Sequence, residues 1–297
     1  MPTTPLSGCL TALVTPFTAD GAIDEPALAA LVEWQIAETI DGLVPVGSTG
    51  EAATLSPNER VRVVRLTVER AAGRVPVVAG AGGNDTSAAI AASRAMAEAG
   101  ATHLLHVSPM YSRPPQRGII AHFRAVADAS PRPIVLYNVP GRTASNMEAE
   151  TTLALAEHPN ICAVKEASGN LAQLSEIIRH RPAGFGVLSG DDGLTLAVMT
   201  AGGDGVISVV SNAAPRAMSD LCRRAAEGNV AAARASHLAM HALCQAAFLE
   251  SNPIPIKAAL ALLGRIGNHL RLPLVPLDPK YLEPLRASLV EAGALAR

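Results

Sequence analysis

The sequence predicts a (β/α)8 TIM barrel with a C-terminal helical appendix. Three observations carry this. Eight short runs are rich in Val, Ile and Leu. Stretches rich in Ala, Arg and Glu, with helical periodicity, separate them. The length, 297 residues, is ordinary for a barrel with a small addition.

In chain order the runs are CLTALVTPF from Cys9, GLVPVG from Gly42, VPVVAGAG from Val75, HLLHVSP from His103, PIVLYNVP from Pro133, ICAVKEAS from Ile161, FGVLSGDD from Phe185 and GVISVVSN from Gly205. Their continuous apolar character, without strict alternation, fits strands buried on both faces of a parallel sheet. Between them, Ser56 reads as an N-cap with Pro57 at the first helical position, and Asp85-Thr86 opens another helix. Strands alternating with helices through right-handed crossovers close into a barrel. The eighth helix is expected to end near Gly228. Residues 1–228 then form the barrel with the active site, and 229–297 a C-terminal helical domain with helices roughly over 230–249, 253–267 and 279–296.

Composition removes several classes of function. Hydrophobic residues make up 49% and charged residues 17%, enough apolar surface for a large core. A net charge of −2 gives no field to attract nucleic acid or anionic lipid. No run of eighteen apolar residues marks a membrane span. The leading stretch lacks a basic segment, and Thr11, Thr15 and Pro16 interrupt its apolar part, so it reads as a first strand and not a signal peptide. Cys9, Cys162, Cys222 and Cys244 are widely spaced and read as buried small hydrophobes. A cytoplasmic enzyme is expected. The eight histidines form no HxH or HExxH pattern, and no glycine-rich phosphate motif follows a strand. No metal or organic cofactor is expected.

Chemistry on a barrel of this kind sits at the C-terminal ends of the strands. Lysine is scarce: only Lys165, Lys257 and Lys280 stand among 24 basic residues. Lys165 lies inside an apolar run, where desolvation favours the neutral, nucleophilic amine. The competing reading is a core ion pair with Glu166, but alternation along a strand puts the two on opposite faces. Tyr111 and Tyr137 follow or end strand runs, where a phenol can relay protons; ordinary packing is the alternative. GSTGE, from Gly47 to Glu51, offers the hydroxyls of Ser48 and Thr49 and several N–H groups, a set suited to a carboxylate or to a plain turn. Arg142 reads as a clamp for a second carboxylate or as a surface arginine. Asp191 and Asp192 of SGDD read as acids favouring a helix start, not as metal ligands.

In that order and spacing, GSTGE, YNVPGRT, VKEASGN, SGDD and GGDGVISV resemble the dihydrodipicolinate synthase / N-acetylneuraminate lyase family. The resemblance runs from TALVTPF to SNPIPIK and LRLPLVPL. It implies a pyruvate imine on Lys165 and a proton relay of Tyr137, Tyr111 and Ser48, with Tyr111 serving a neighbouring subunit of a homotetramer. It implies Ser48 and Thr49 on the pyruvate carboxylate, and Gly190 and Ile207 lining the pocket by their backbones. Arg142 and SNPIPIK side with the condensing branch of the family. Arg142 would then hold L-aspartate 4-semialdehyde, and the product would be 4-hydroxy-tetrahydrodipicolinate, on the route to diaminopimelate and lysine. A sister pyruvate-dependent aldolase acting on another aldehyde, and a non-catalytic barrel binding a 2-oxo acid, are the alternatives.

The resemblance also bears on feedback by L-lysine. Asn84 matches a family contact, but Ala88 stands where an inhibited enzyme carries an acid. Pro57 and Arg60 replace histidines, and Met110 replaces a second tyrosine. With no carboxylate to meet the inhibitor's amine, inhibition is expected to be weak or absent; half inhibition at submillimolar lysine in a steady-state assay would contradict this.

Overall fold

Each apolar run contributes a strand. In a computed structural model that describes residues 6–296, these are β1 Gly8–Ala12, β2 Gly42–Val44, β3 Val78–Gly80, β4 His103–Val107, β5 Ile134–Asn138, β6 Ile161–Glu166, β7 Gly186–Ser189 and β8 Gly205–Ser208. All are parallel, in the order β2-β1-β8-β7-β6-β5-β4-β3. A parallel bridge from Leu43 to Val77, with Gly80 N–H donating to the Pro45 carbonyl, closes the ring between β2 and β3. The TIM barrel is therefore complete.

Alternation along the strands sorts side chains into two sets. Leu10, Val44, Val78, Leu105, Val135, Ala163, Leu188 and Ile207 fill the barrel interior. Cys9, Leu43, Leu104, Val164 and Val206 face the surrounding helices. The expected helix starts are present. Ser56 and Glu59 form a reciprocal capping box ahead of the helix Pro57–Ala71, and the Asp85 carboxylate accepts from Ala88 N–H at 2.6 Å.

The C-terminal segment departs from its expected lengths. Residues 230–249 form two helices, Val230–Ala239 and His241–Ala246, broken by a tight turn at Met240. Ile254–Leu262 stops before Gly264, whose φ of +66° ends the helix, and Leu282–Glu291 follows a short turn at Pro279–Tyr281. Met240, Leu243, Ile256, Leu260, Leu285 and Leu289 pack in the same apolar cluster as Leu13, Phe17 and Leu31 of the first barrel unit. The four cysteines are free thiols. Among the described residues no helix is long and apolar enough to cross a membrane.

Candidate active site

Two inward positions on adjacent strands set the centre of the site. Tyr137 on β5 and Lys165 on β6 are register partners, so their side chains stand side by side at the C-terminal end of the barrel. Lys165 Nζ lies 4.4 Å from the Tyr137 ring centre. Burial lowers the Lys165 pKa to about 8; the Asp192 carboxylate opposes this shift and the Arg142 charge adds to it. Burial also raises the Tyr137 pKa, against the Arg142 charge and the neighbouring Ser48 hydroxyl, so the phenol keeps its proton near neutrality.

The rival ion-pair reading of Lys165 fails on geometry. Glu166 points out of the barrel, accepting from Asn138 Nδ2 at 2.9 Å, Gln173 Nε2 at 3.1 Å and Ser168 N–H at 2.7 Å. Of the two buried lysines, Lys257 has the carboxylate partner: its Nζ is 2.6 Å from Glu51 Oε1, and both side chains are fully buried. Lys257 Nζ also donates to the Thr15 carbonyl, 3.0 Å away. Lys165 is the buried lysine without an ion pair among the described residues.

The loop after β2 supplies hydrogen-bond donors to one face of the site. Gly50 and Ala52 N–H both donate to the Gly47 carbonyl, and Glu51 N–H to that of Ser48. The N–H groups of Ser48 and Thr49 donate to no described residue and remain available to a ligand. Val46 and Glu51 at the ends of the loop have φ of +59° and +53°, a costly conformation for either residue. Gly80 on β3 makes room for it, since a Cβ there would lie 2.0 Å from the Val46 carbonyl oxygen. Glu51 holds the far end through Lys257 and through Arg271 N–H at 3.2 Å.

The pocket over Lys165 has a free volume of about 140 Å³. That is below the roughly 300–1,000 Å³ of pockets for larger ligands. Ser48, Thr49, Tyr137, Arg142, Lys165 and Gly190 all line it. Arg142 sits at the rim, where its Nη2 donates to the Asn252 carbonyl at 3.2 Å. Ile207 is not a lining residue: its side chain fills the barrel interior, and Val209 borders the pocket instead. Tyr111 does not reach this pocket. It is 91% exposed, on the loop after β4, with a left-handed φ of +67°.

Both acids of SGDD stand at a helix start, Asp191 as the cap and Asp192 as the first residue of a short turn, but their carboxylates part. Asp191 caps the turn, accepting from Gly193 N–H at 2.9 Å. Asp192 is buried between the ends of β7 and β8, where it accepts from Ser208 Oγ at 2.5 Å and Val209 N–H at 3.0 Å. Its charge is the one that holds up the Lys165 pKa against burial. Phe248 and Asn252, both from the C-terminal segment, are among the lining residues that escaped sequence reasoning. Asn252 had one visible signal, its place in the SNPIPIK stretch; Phe248 had none.

Gly190 fixes how closely β7 approaches the amine. A Cβ there would meet Ala167 Cβ at 2.6 Å and Lys165 Cε at 3.1 Å. Gly190→Ala is expected to displace the lysine and lower kcat about 100-fold, with an overpacking cost of about 1–3 kcal/mol in denaturant unfolding and an unchanged circular dichroism spectrum.

The arrangement joins an unpaired, desolvated amine, a protonated phenol and two sets of hydrogen-bond donors, groups that together can carry out imine chemistry. Comparison with known proteins agrees. Residues 5–292 match the model of the dihydrodipicolinate synthetase family. The 4-hydroxy-tetrahydrodipicolinate synthase of Koribacter versatilis (strain Ellin345) is 50% identical over 291 residues, covering 98% of this chain and 97% of its own. Dihydrodipicolinate synthase from Aquifex aeolicus superposes with a TM-score of 0.95 at 40% identity, covering 98% of this chain and 100% of its own. The chloride-inhibited enzyme from Acinetobacter baumannii, complexed with pyruvate, gives 0.96 at 41% identity, covering 97% and 99%. With a family model spanning nearly its whole length and relatives matched end to end, this chain belongs to the dihydrodipicolinate synthetase family.

Proposed function

We propose that this chain condenses pyruvate with L-aspartate 4-semialdehyde to 4-hydroxy-tetrahydrodipicolinate, a lyase reaction of lysine and diaminopimelate biosynthesis, through an imine on Lys165. The observation that carries the reading is the buried lysine without a carboxylate partner, facing a pocket with an anion-binding loop on one side and Arg142 on the other. The names of its relatives and the pyruvate complex of the Acinetobacter baumannii enzyme support it.

Neutral Lys165 attacks the ketone carbon of pyruvate. The carbinolamine loses water to give a protonated imine. That imine withdraws electrons, so the methyl group gives up a proton and an enamine forms. The enamine carbon bonds to the aldehyde carbon of the second substrate, whose oxygen takes up a proton. The substrate's own amine then attacks the imine carbon and displaces Lys165 as the ring closes. The lysine is the electron sink, so these steps call for no cofactor. Tyr137 is the proton donor and acceptor beside the amine. Ser48 and Thr49 hold the pyruvate carboxylate, and Arg142 that of the semialdehyde. Tyr111, exposed on its loop, completes the relay in a neighbouring subunit of a homotetramer.

The direct test is borohydride reduction in the presence of pyruvate, with peptide mass spectrometry expected to find the adduct on Lys165; an unmodified lysine would overturn the reading. A panel of aldehydes in a coupled assay separates this reaction from that of a sister aldolase. Arg142→Leu is expected to lower kcat/KM for aspartate semialdehyde roughly 100-fold and to leave pyruvate imine formation within a few-fold.

A further inference from the structure

Asn252 reaches the pocket from the C-terminal segment and touches both anion-binding elements. It is 5% exposed. Its Nδ2 donates to Thr49 Oγ1 at 2.9 Å, and its carbonyl accepts from Arg142 Nη2 at 3.2 Å. Asn252 Oδ1 is buried without a hydrogen-bond partner among the described residues.

The direction of the Thr49 contact decides what that hydroxyl can do. A threonine hydroxyl has one proton to give and lone pairs to receive. Because Asn252 fills an acceptor site on Thr49 Oγ1, and that hydroxyl donates to no described residue, its proton is left for a ligand. A ligand carboxylate needs donors, and a hydroxyl already spent on a neighbouring oxygen would face it with lone pairs.

We propose that Asn252 is a positioning residue: it holds the Thr49 hydroxyl as a donor toward the pyruvate carboxylate. This rests on the reading that the pocket takes pyruvate. The inference makes an unusual ranking of variants. Asn252→Asp is nearly isosteric but can only accept, so it draws the Thr49 proton onto itself and adds a negative charge beside the bound carboxylate. Asn252→Leu deletes the contact without reversing it. A residue that served packing alone would tolerate the isosteric change and suffer from the larger one.

Steady-state kinetics of the full-length enzyme tests the ranking. Asn252→Asp is expected to raise KM for pyruvate on the order of 100-fold, and Asn252→Leu roughly tenfold. In both, kcat at saturating pyruvate should stay within a few-fold, as the loss of uniform binding requires. An Asn252→Asp enzyme with pyruvate KM near the wild type, or less impaired than Asn252→Leu, overturns the proposal. Should Asn252→Leu fold poorly by thermal unfolding, Thr49→Val removes the same donor from the other side. It must then raise the pyruvate KM roughly tenfold, with Thr49→Ser restoring it; an unchanged KM in Thr49→Val also overturns the proposal. Borohydride trapping on the wild type separates the two levels of failure. No adduct on Lys165 rejects the functional reading itself, whereas an adduct together with a tolerated aspartate rejects the role of Asn252 alone.

Discussion

Replacing Lys165 with methionine is expected to abolish turnover and to stabilise the protein. The loss should be about 10⁵-fold or more in kcat, since no other group in the pocket forms the imine. The gain in stability follows from the same burial. Folding moves the Lys165 pKa from 10.5 to about 8. Below pH 8 the amine is protonated in both the folded and unfolded states, and the native state bears the full cost of holding the charge. Between pH 8 and 10.5 the unfolded chain binds more protons, so wild-type stability rises with pH across that window and the cost is gone above it. The difference corresponds to about 3 kcal/mol. Denaturant unfolding at pH 7 should find Lys165→Met more stable by a large part of that amount, and the gap should close toward pH 10. A variant less stable than the wild type at pH 7 would show that the amine is better solvated or paired than the site geometry implies.

The second large effect has the opposite sign. Lys257→Met leaves the Glu51 carboxylate fully buried without its cation. Removing one partner of such a pair costs about 3–5 kcal/mol. The damage falls on the loop after β2, because Glu51 ends it in a left-handed conformation that its partners hold in place. KM for pyruvate should rise with the loss of stability. Adding Glu51→Gln removes the stranded charge, and the double variant should recover much of the lost stability in the same unfolding experiment. Lys280 pairs with Asp278 at the surface, both side chains more than a third exposed, so its replacement should be close to neutral. One residue type thus gives three outcomes, set by burial and by the presence of a partner.

Much of the fold was legible because its signals are local. Apolar runs ending at turn residues located every strand, and Ser56 and Asp85 marked two helix starts from the residues beside them. Lys165 was legible for a different reason: scarcity made one lysine inside an apolar strand conspicuous, and strand alternation separated it from Glu166. The remainder depends on contacts that spacing does not encode. Asn252 meets Thr49 across 203 positions, and Lys257 meets Glu51 across 206. No local pattern shows that Lys257 is buried and paired. Asp191 and Asp192 do stand at a helix start, but the turn of the Asp192 carboxylate toward Ser208 on the next strand is a contact that no local pattern announces. The break at Met240 carries no glycine or proline; the helix after it packs on Leu282–Glu291 and buries Leu243 and Cys244, a tertiary contact that overrides the continuous helical propensity.

Phe248 and Asn252 approach the pocket from the C-terminal segment, whereas Lys165 and Tyr137 stand on adjacent barrel strands. The pocket wall is thus shared between stretches of chain that can diverge separately. Drift in the last quarter of the sequence can reshape that wall while the strands that carry Lys165 and Tyr137 stay as they are.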